Sequence, residues 1–291
     1  MLLRDFIASA RRDLSGLYPE DEACSIVSVL CCELLGVKDY THIIEPGYII
    51  PDDKFGRLSA SLERLKDSEP LQYVLGYADF YGFRFRVTPD VLIPRPETEL
   101  LCDEAISWMS GIDRPSVLDL CTGSGCIAWT LALSVKGSEV VAVDISDAAL
   151  SVASGQDFPD CGDVVKPEFV RYDVLEGADG FISPLTGNGE FDVIVSNPPY
   201  VRISEKELMH HNVLDYEPGL ALFVPDEDPL VFYRAVCDFA LKRLRNGGFG
   251  IVEINEAFGD ATAEIFSSAG FSSVEILKDF GAKNRLVRFR K

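Results

Sequence analysis

Ser116-Val117-Leu118-Asp119-Leu120-Cys121-Thr122-Gly123-Ser124-Gly125-Cys126-Ile127-Ala128 carries an apolar strand-like run into a glycine-rich turn and then an apolar helical stretch. Glycines at such a turn let the backbone bend sharply and let a ligand approach amides that a Cβ would shield. Nineteen residues after Gly125, a second strand-like run over 139–143 is followed by Asp144. An acid at that point accepts both hydroxyl protons of a ribose. Gly123-x-Gly125-x-x-Ala128 also satisfies the relaxed dinucleotide fingerprint. The loop alone therefore divides evenly between a nicotinamide or flavin nucleotide and S-adenosylmethionine. Asp119 tips the balance toward the second, because a carboxylate at the tip of the strand suits an ammonium group and repels a pyrophosphate.

Working outward, strand-like segments over 116–120, 139–143, 168–172, 191–196 and 248–254 alternate with helical stretches, the clearest at 229–244. That alternation predicts an α/β fold whose parallel sheet is covered on both faces. Segments 273–277 and 284–290 are separated by a short turn containing Gly281. They are too close for a helical crossover, so they are expected to pair antiparallel. Upstream, helical periodicity runs over 2–14, 21–35 and 58–65, with Ile26, Val27, Leu30, Leu34 and Leu35 on one face and Gly36 as the stop. Residues 1–70 thus read as a small helical domain. Tyr81–Val87 alternates like a short strand, and Ile93-Pro94-Arg95-Pro96-Glu97 is a proline-rich loop within a 71–99 linker that holds a short hairpin. Residues 100–291 form the α/β domain.

Bulk properties narrow the function. The chain has 291 residues and a net charge of −20. Residues 1–85 hold 9 Lys and Arg against 14 Asp and Glu, and the remainder holds 18 against 33. Neither part offers the basic face that phosphate neutralisation demands, so direct nucleic-acid binding is disfavoured and a protein partner with a basic patch is favoured. No run approaches the roughly 18 apolar residues of a membrane helix. The N-terminus, Met1-Leu2-Leu3-Arg4-Asp5-Phe6, lacks the apolar core of a signal peptide, so a cytoplasmic location is expected. Eight cysteines, at 24, 31, 32, 102, 121, 126, 161 and 237, show no C-x-x-C pair or zinc spacing, and Cys24 and Cys31 read as core residues. His210-His211 reads as a polar loop, and no metal site is expected.

The strand at 191–196 ends in Asn197-Pro198-Pro199-Tyr200. Ligands of open α/β sheets bind outside the carboxyl ends of the strands, so this tetrapeptide is expected to face the same crevice as the glycine loop. Two prolines remove two backbone donors and leave a rigid row of acceptors, the Asn197 side-chain oxygen and the Pro198 carbonyl. Tyr200 adds a flat face on which a planar group can stack. An amide nitrogen is a poor nucleophile because its lone pair is delocalised. Two acceptors holding its hydrogens orient it and stabilise the charge it gains under attack, and the proton leaves after methylation without a strong base.

Together with Glu69-Pro70, Ile93-Pro94-Arg95-Pro96-Glu97-Thr98-Glu99, Tyr216-Glu217-Pro218 and Asp279…Asn284-Arg285, these segments resemble the N5-glutamine methyltransferases of peptide chain release factors, the HemK family. The likeness covers nearly the whole chain. It implies a seven-stranded, Rossmann-like class I methyltransferase sheet with a small N-terminal helical domain that docks the substrate. It also implies methylation of the glutamine in the Gly-Gly-Gln motif of class 1 release factors. Cofactor contacts are implied for Cys121, Thr122, Gly123, Ser124, Gly125, Asp144, Asp173, Val174 and Asn197. Cys121 departs from the family's D-x-G-x-G-x-G pattern, so it either adopts φ < 0 or presents a Cβ the cofactor tolerates. Asn255 and Glu256 stand where a glycine is more familiar. The alternatives are glutamine methylation of a ribosomal protein, adenine N6-methylation of DNA (disfavoured by the acidity), and a nicotinamide oxidoreductase, which leaves the N-P-P-Y row unexplained.

Overall fold

Residues 1–158, 162, 164–184 and 189–291 are described by the structure, a computed structural model. Cys161 lies outside the described residues. The chain forms two compact units, Met1–Tyr77 with His210–Tyr216, and Ala78–Met209 with Glu217–Lys291. No helix is long and apolar enough to cross a membrane among the described residues.

The first unit is helical. In α1 (Leu3–Leu14), Leu3, Phe6, Ile7, Ala10 and Leu14 recur at three- and four-residue spacing and are buried. They meet Val27, Leu30 and Cys31 of α2 (Glu20–Leu35) and Leu58, Leu62 and Leu65 of α3 (Asp52–Lys66). Gly36 ends α2 in the left-handed conformation, φ +72°, which a side chain rarely adopts. α3 starts six residues before the periodic run that marks it, because its first turn, Asp52-Asp53-Lys54, is polar. The unit reaches past residue 70, since Leu71–Leu75 is a helical turn closed by Gly76 and not linker. His211–Leu214 is likewise helical, correcting the loop expected there, and Tyr216 Oη donates to the Asp67 carbonyl at 2.8 Å.

A hairpin, Tyr77–Phe80 and Phe83–Arg86, follows, all but its first residue in the second unit, turned at Tyr81 and Gly82, both at positive φ. Tyr81-Gly82 is therefore the turn, and only the part after it is strand. The main sheet has seven strands: β1 (Ser116–Leu120), β2 (Glu139–Asp144), β3 (Glu168–Arg171), β4 (Phe191–Ser196), β5 (Leu244–Glu253), β6 (Ser272–Lys278) and β7 (Asn284–Arg290). Their order is β6-β7-β5-β4-β1-β2-β3, and β7 alone runs antiparallel to its neighbours. Alternate residues face opposite sides. Leu118, Leu120, Val141, Val143 and Ile194 pack with Tyr233, Val236 and Phe239 on one face, while Val117, Val140, Ala142, Val193 and Val195 pack with Leu101, Ala105 and Ile127 on the other. The covering helices are α4 (Glu99–Met109), α5 (Cys126–Ser134), α6 (Asp147–Ser154), α7 (Val231–Arg243) and α8 (Gly259–Ser268). From β1 the chain winds through β2 to β3 and then returns to lay β4 against the other side of β1. That reversal opens a crevice at the carboxyl ends of β1 and β4.

Candidate active site

A cleft lies at this crevice, with about 1100 Å³ of empty space in it and in the open solvent at its mouth. Cys121, Thr122, Gly123 and Ser124 line it after β1, Asp144, Ile145 and Ser146 after β2, Tyr172 to Leu175 after β3, and Asn197 and Pro199 after β4. Asp144 anchors the glycine loop, its Oδ2 accepting from Gly123 N at 2.8 Å and its Oδ1 from Ser146 N at 3.0 Å. Burial raises the Asp144 carboxyl, and these amides pull it back down. Lone-pair capacity remains on its two oxygens for a ligand's hydroxyl. Asp173 caps the turn Val174–Glu176 through Leu175 N at 2.9 Å. Gly125, at φ +78°, packs against α6, where an added Cβ would come within 2.9 Å of Ala153 Cβ. It shapes the turn and does not line the cleft.

The tetrapeptide is held from behind. Asn197 Nδ2 donates to Thr98 Oγ1 at 3.2 Å, Thr98 Oγ1 donates to Glu253 Oε2 at 2.6 Å, and Tyr200 Oη donates to Glu253 Oε1 at 2.9 Å. Burial pushes the Glu253 carboxyl up, opposed by the two hydroxyls and by the charge of Arg285. Thr98 and Glu253 are part of the site that motif reading missed. Thr98 stood inside a recognised motif, but its partner is 155 residues away, a pairing no local pattern reveals. The proline-rich segment is locked in the same manner. Glu217, with its side chain 1% exposed, receives Arg95 Nη2 at 2.6 Å and Ile93 N at 3.2 Å. Pro94, Arg95, Pro218, Leu220 and Ala221 all line the cleft.

Several expectations need revision. Asp119 is fully buried and does not line the cleft; it accepts from Thr122 Oγ1 at 2.6 Å. Strand alternation turns it toward α5, on the side of Val117. Cys121 takes φ +64°, so it occupies the left-handed region usually left to glycine. Pro198 is buried, and Tyr200 turns its hydroxyl to Glu253, packs against the core and does not line the cleft as a stacking face. Asn255 needs no glycine conformation: at φ −65° its side chain caps Ala257 N.

The donor set fits S-adenosylmethionine. Asp90, Asp144 and Asp173 oppose the single cation Arg95 among the described lining residues, so the cleft favours a ligand with positive charge and disfavours a pyrophosphate. The argument from acidity stands, carried by acids other than Asp119. Ile145, Val174, Leu175 and Phe232 supply apolar walls for a purine.

This sheet and cleft define a class I S-adenosylmethionine-dependent methyltransferase. The chain matches the methyltransferase small domain over residues 104–215 and the PrmC N-terminal domain over residues 5–76. A release factor glutamine methyltransferase of Bacteroides thetaiotaomicron is 40% identical over 280 residues, covering 96% of this chain and 97% of that one. Its counterpart from Flavobacterium psychrophilum is 34% identical over 295 residues, covering 99% of each. A 16S rRNA methyltransferase of T. thermophilus, solved with AdoMet and guanosine, shares the fold with a TM-score of 0.50 at 22% identity, over 74% of this chain and 49% of that one. The chain belongs to the release factor glutamine methyltransferase family.

Proposed function

We propose that this enzyme methylates the side-chain amide nitrogen, N5, of the glutamine in the Gly-Gly-Gln motif of class 1 peptide chain release factors, working in the cytoplasm. Bound S-adenosylmethionine supplies an electrophilic methyl group. Cys121, Thr122, Gly123, Ser124, Asp144, Asp173 and Val174 hold it, with Asp144 taking the ribose hydroxyls. Asn197 Oδ1 accepts one amide proton of the glutamine, and the backbone carbonyl of Pro198, a residue otherwise buried, accepts the other. They aim its nitrogen into the cleft and stabilise the positive charge that builds there. One of those protons then leaves, since an alkylated amide nitrogen is strongly acidic. Pro199 stiffens the turn that sets both acceptors.

The observation that carries this reading is the Asn197 amide, a cleft-lining group whose nitrogen is engaged behind it and whose oxygen is left to the substrate. Labelled S-adenosylmethionine offered with release factor, ribosomal protein and duplex DNA in parallel tests it. Label is expected in the release factor. Label in the ribosomal protein or in DNA instead would replace this reading with the corresponding alternative.

A further inference from the structure

Glu253 ends β5 with 1% exposure, and nothing in the methyl-transfer chemistry yet uses its charge. A buried carboxylate is costly unless its oxygens are hydrogen-bonded. Here both oxygens accept hydroxyl protons, one from Thr98 and one from Tyr200, while the neighbouring Arg285 spends its guanidinium on Asp279 at 3.0 and 3.1 Å. The two hydroxyls and the charge of Arg285 favour the ionised form against the upward push of burial, and as a carboxylate Glu253 has no proton to give, which sets the direction of each of these bonds.

The consequence runs outward along the chain of bonds. Thr98 has one hydroxyl proton, and Glu253 takes it. Thr98 Oγ1 can then meet Asn197 only as an acceptor, so it must receive Nδ2. The Asn197 oxygen is what remains for the cleft. With the amide turned over, Oδ1 would face the lone pairs of Thr98, and Nδ2 would face the substrate's own N–H groups. Both contacts are repulsive. We propose that Glu253, acting through Thr98, is a positioning residue that fixes the Asn197 amide with its oxygen toward the substrate nitrogen. Its second oxygen, through Tyr200, ties the other end of the same tetrapeptide to the same carboxylate. The acceptor row is thus oriented during folding and needs no reorganisation when the amide arrives. This inference rests on the reading of Asn197 as the substrate's acceptor.

The test measures kcat, KM for the release factor and the dissociation constant of S-adenosylmethionine for Thr98→Val, Thr98→Ser, Glu253→Gln, Asn197→Ala and the double variant Asn197→Ala/Thr98→Val. Glu253→Gln replaces one of the two acceptor oxygens with an NH2 donor, so Thr98 and Tyr200 can no longer both give it their protons, and Thr98→Val removes the hydroxyl while keeping its shape. Each is expected to lower kcat roughly tenfold or more, with cofactor affinity changed by less than about threefold. Thr98→Ser should restore most of the turnover lost in Thr98→Val, and the double variant should be no slower than Asn197→Ala alone. If Asn197→Ala collapses turnover while folded Thr98→Val and Glu253→Gln stay within about threefold of wild type, the positioning role is refuted and the acceptor role survives. Additive losses in the double variant refute it too, because Thr98 would then act on its own. Should Glu253→Gln fail to fold, the Thr98 pair and the double variant decide the matter. Wild-type turnover in Asn197→Ala would sink the acceptor reading and this inference with it.

Discussion

Cys121 sits at φ +64° where the family pattern has glycine, a conformation that costs an ordinary residue about 1–2 kcal/mol. Cys121→Gly relieves that strain but frees the unfolded chain, at about 0.5–1 kcal/mol. The variant is therefore expected to gain up to about 1 kcal/mol of stability and to bind S-adenosylmethionine within a few-fold of wild type. A large loss of affinity by calorimetry would instead show that the thiol contacts the cofactor. Asp119 yields a pH effect. Burial, with the charge of Asp144 adding to it, lifts its carboxyl to about 7 against the hydrogen bonds from Thr122 and the Ala128 backbone. The folded state therefore keeps a proton that the unfolded state, with its pKa near 3.8, releases. The stabilisation from this group is complete below the unfolded value and is lost as pH rises through the window up to about 7. Asp119→Asn abolishes that slope. Denaturant melts of both proteins at a series of pH values should diverge across this window in favour of the variant, and parallel curves would contradict it.

At the scale of elements, β2 does two jobs at its end, because Asp144 holds Gly123 and Ser146 by their amides while facing the cleft. Asp144→Ala is expected to weaken S-adenosylmethionine binding by about 2–3 kcal/mol. Calorimetry showing less than a threefold change would remove Asp144 from the binding set. The strands of the sheet were legible in the sequence because each contains a short apolar run bounded by polar turns, although β5 begins at Leu244, four residues before the run that marks it, and the closing pair because their spacing forbids a crossover. The glycine loop and the acceptor row were legible for the same local reason. What escaped was non-local or concealed by composition. The start of α3 lies in a polar turn, and Leu71–Leu75 is too short to show a period. The burial of Asp119 depends on which face α5 covers. The ties of Thr98 to Glu253 and of Arg95 to Glu217 join residues more than a hundred positions apart, and only the folded chain brings them together.

At the scale of the molecule, the net charge of −20 is spread over both units and suits a basic protein surface better than a phosphate backbone. A glutamine on a loop offers little surface, so contacts remote from the cleft must position it, and such contacts raise turnover as well as affinity. We propose that the helical N-terminal unit does this docking; Ile43 and Ile44 in it are 69% and 63% exposed. Replacing both with serine should lower kcat/KM toward intact release factor by about tenfold, roughly 1.4 kcal/mol, and leave activity on a short Gly-Gly-Gln peptide unchanged. Equal activity on both substrates would place the docking surface elsewhere. The central claim, that an acceptor row built on Asn197 directs methyl transfer to an amide nitrogen, is tested most directly by mass-spectrometric mapping of release factor after turnover. The account predicts a single methyl group on the side-chain nitrogen of the Gly-Gly-Gln glutamine, lost when Asn197 is replaced by alanine. A methyl group on any other residue type, or undiminished labelling by the Asn197→Ala enzyme, would contradict it.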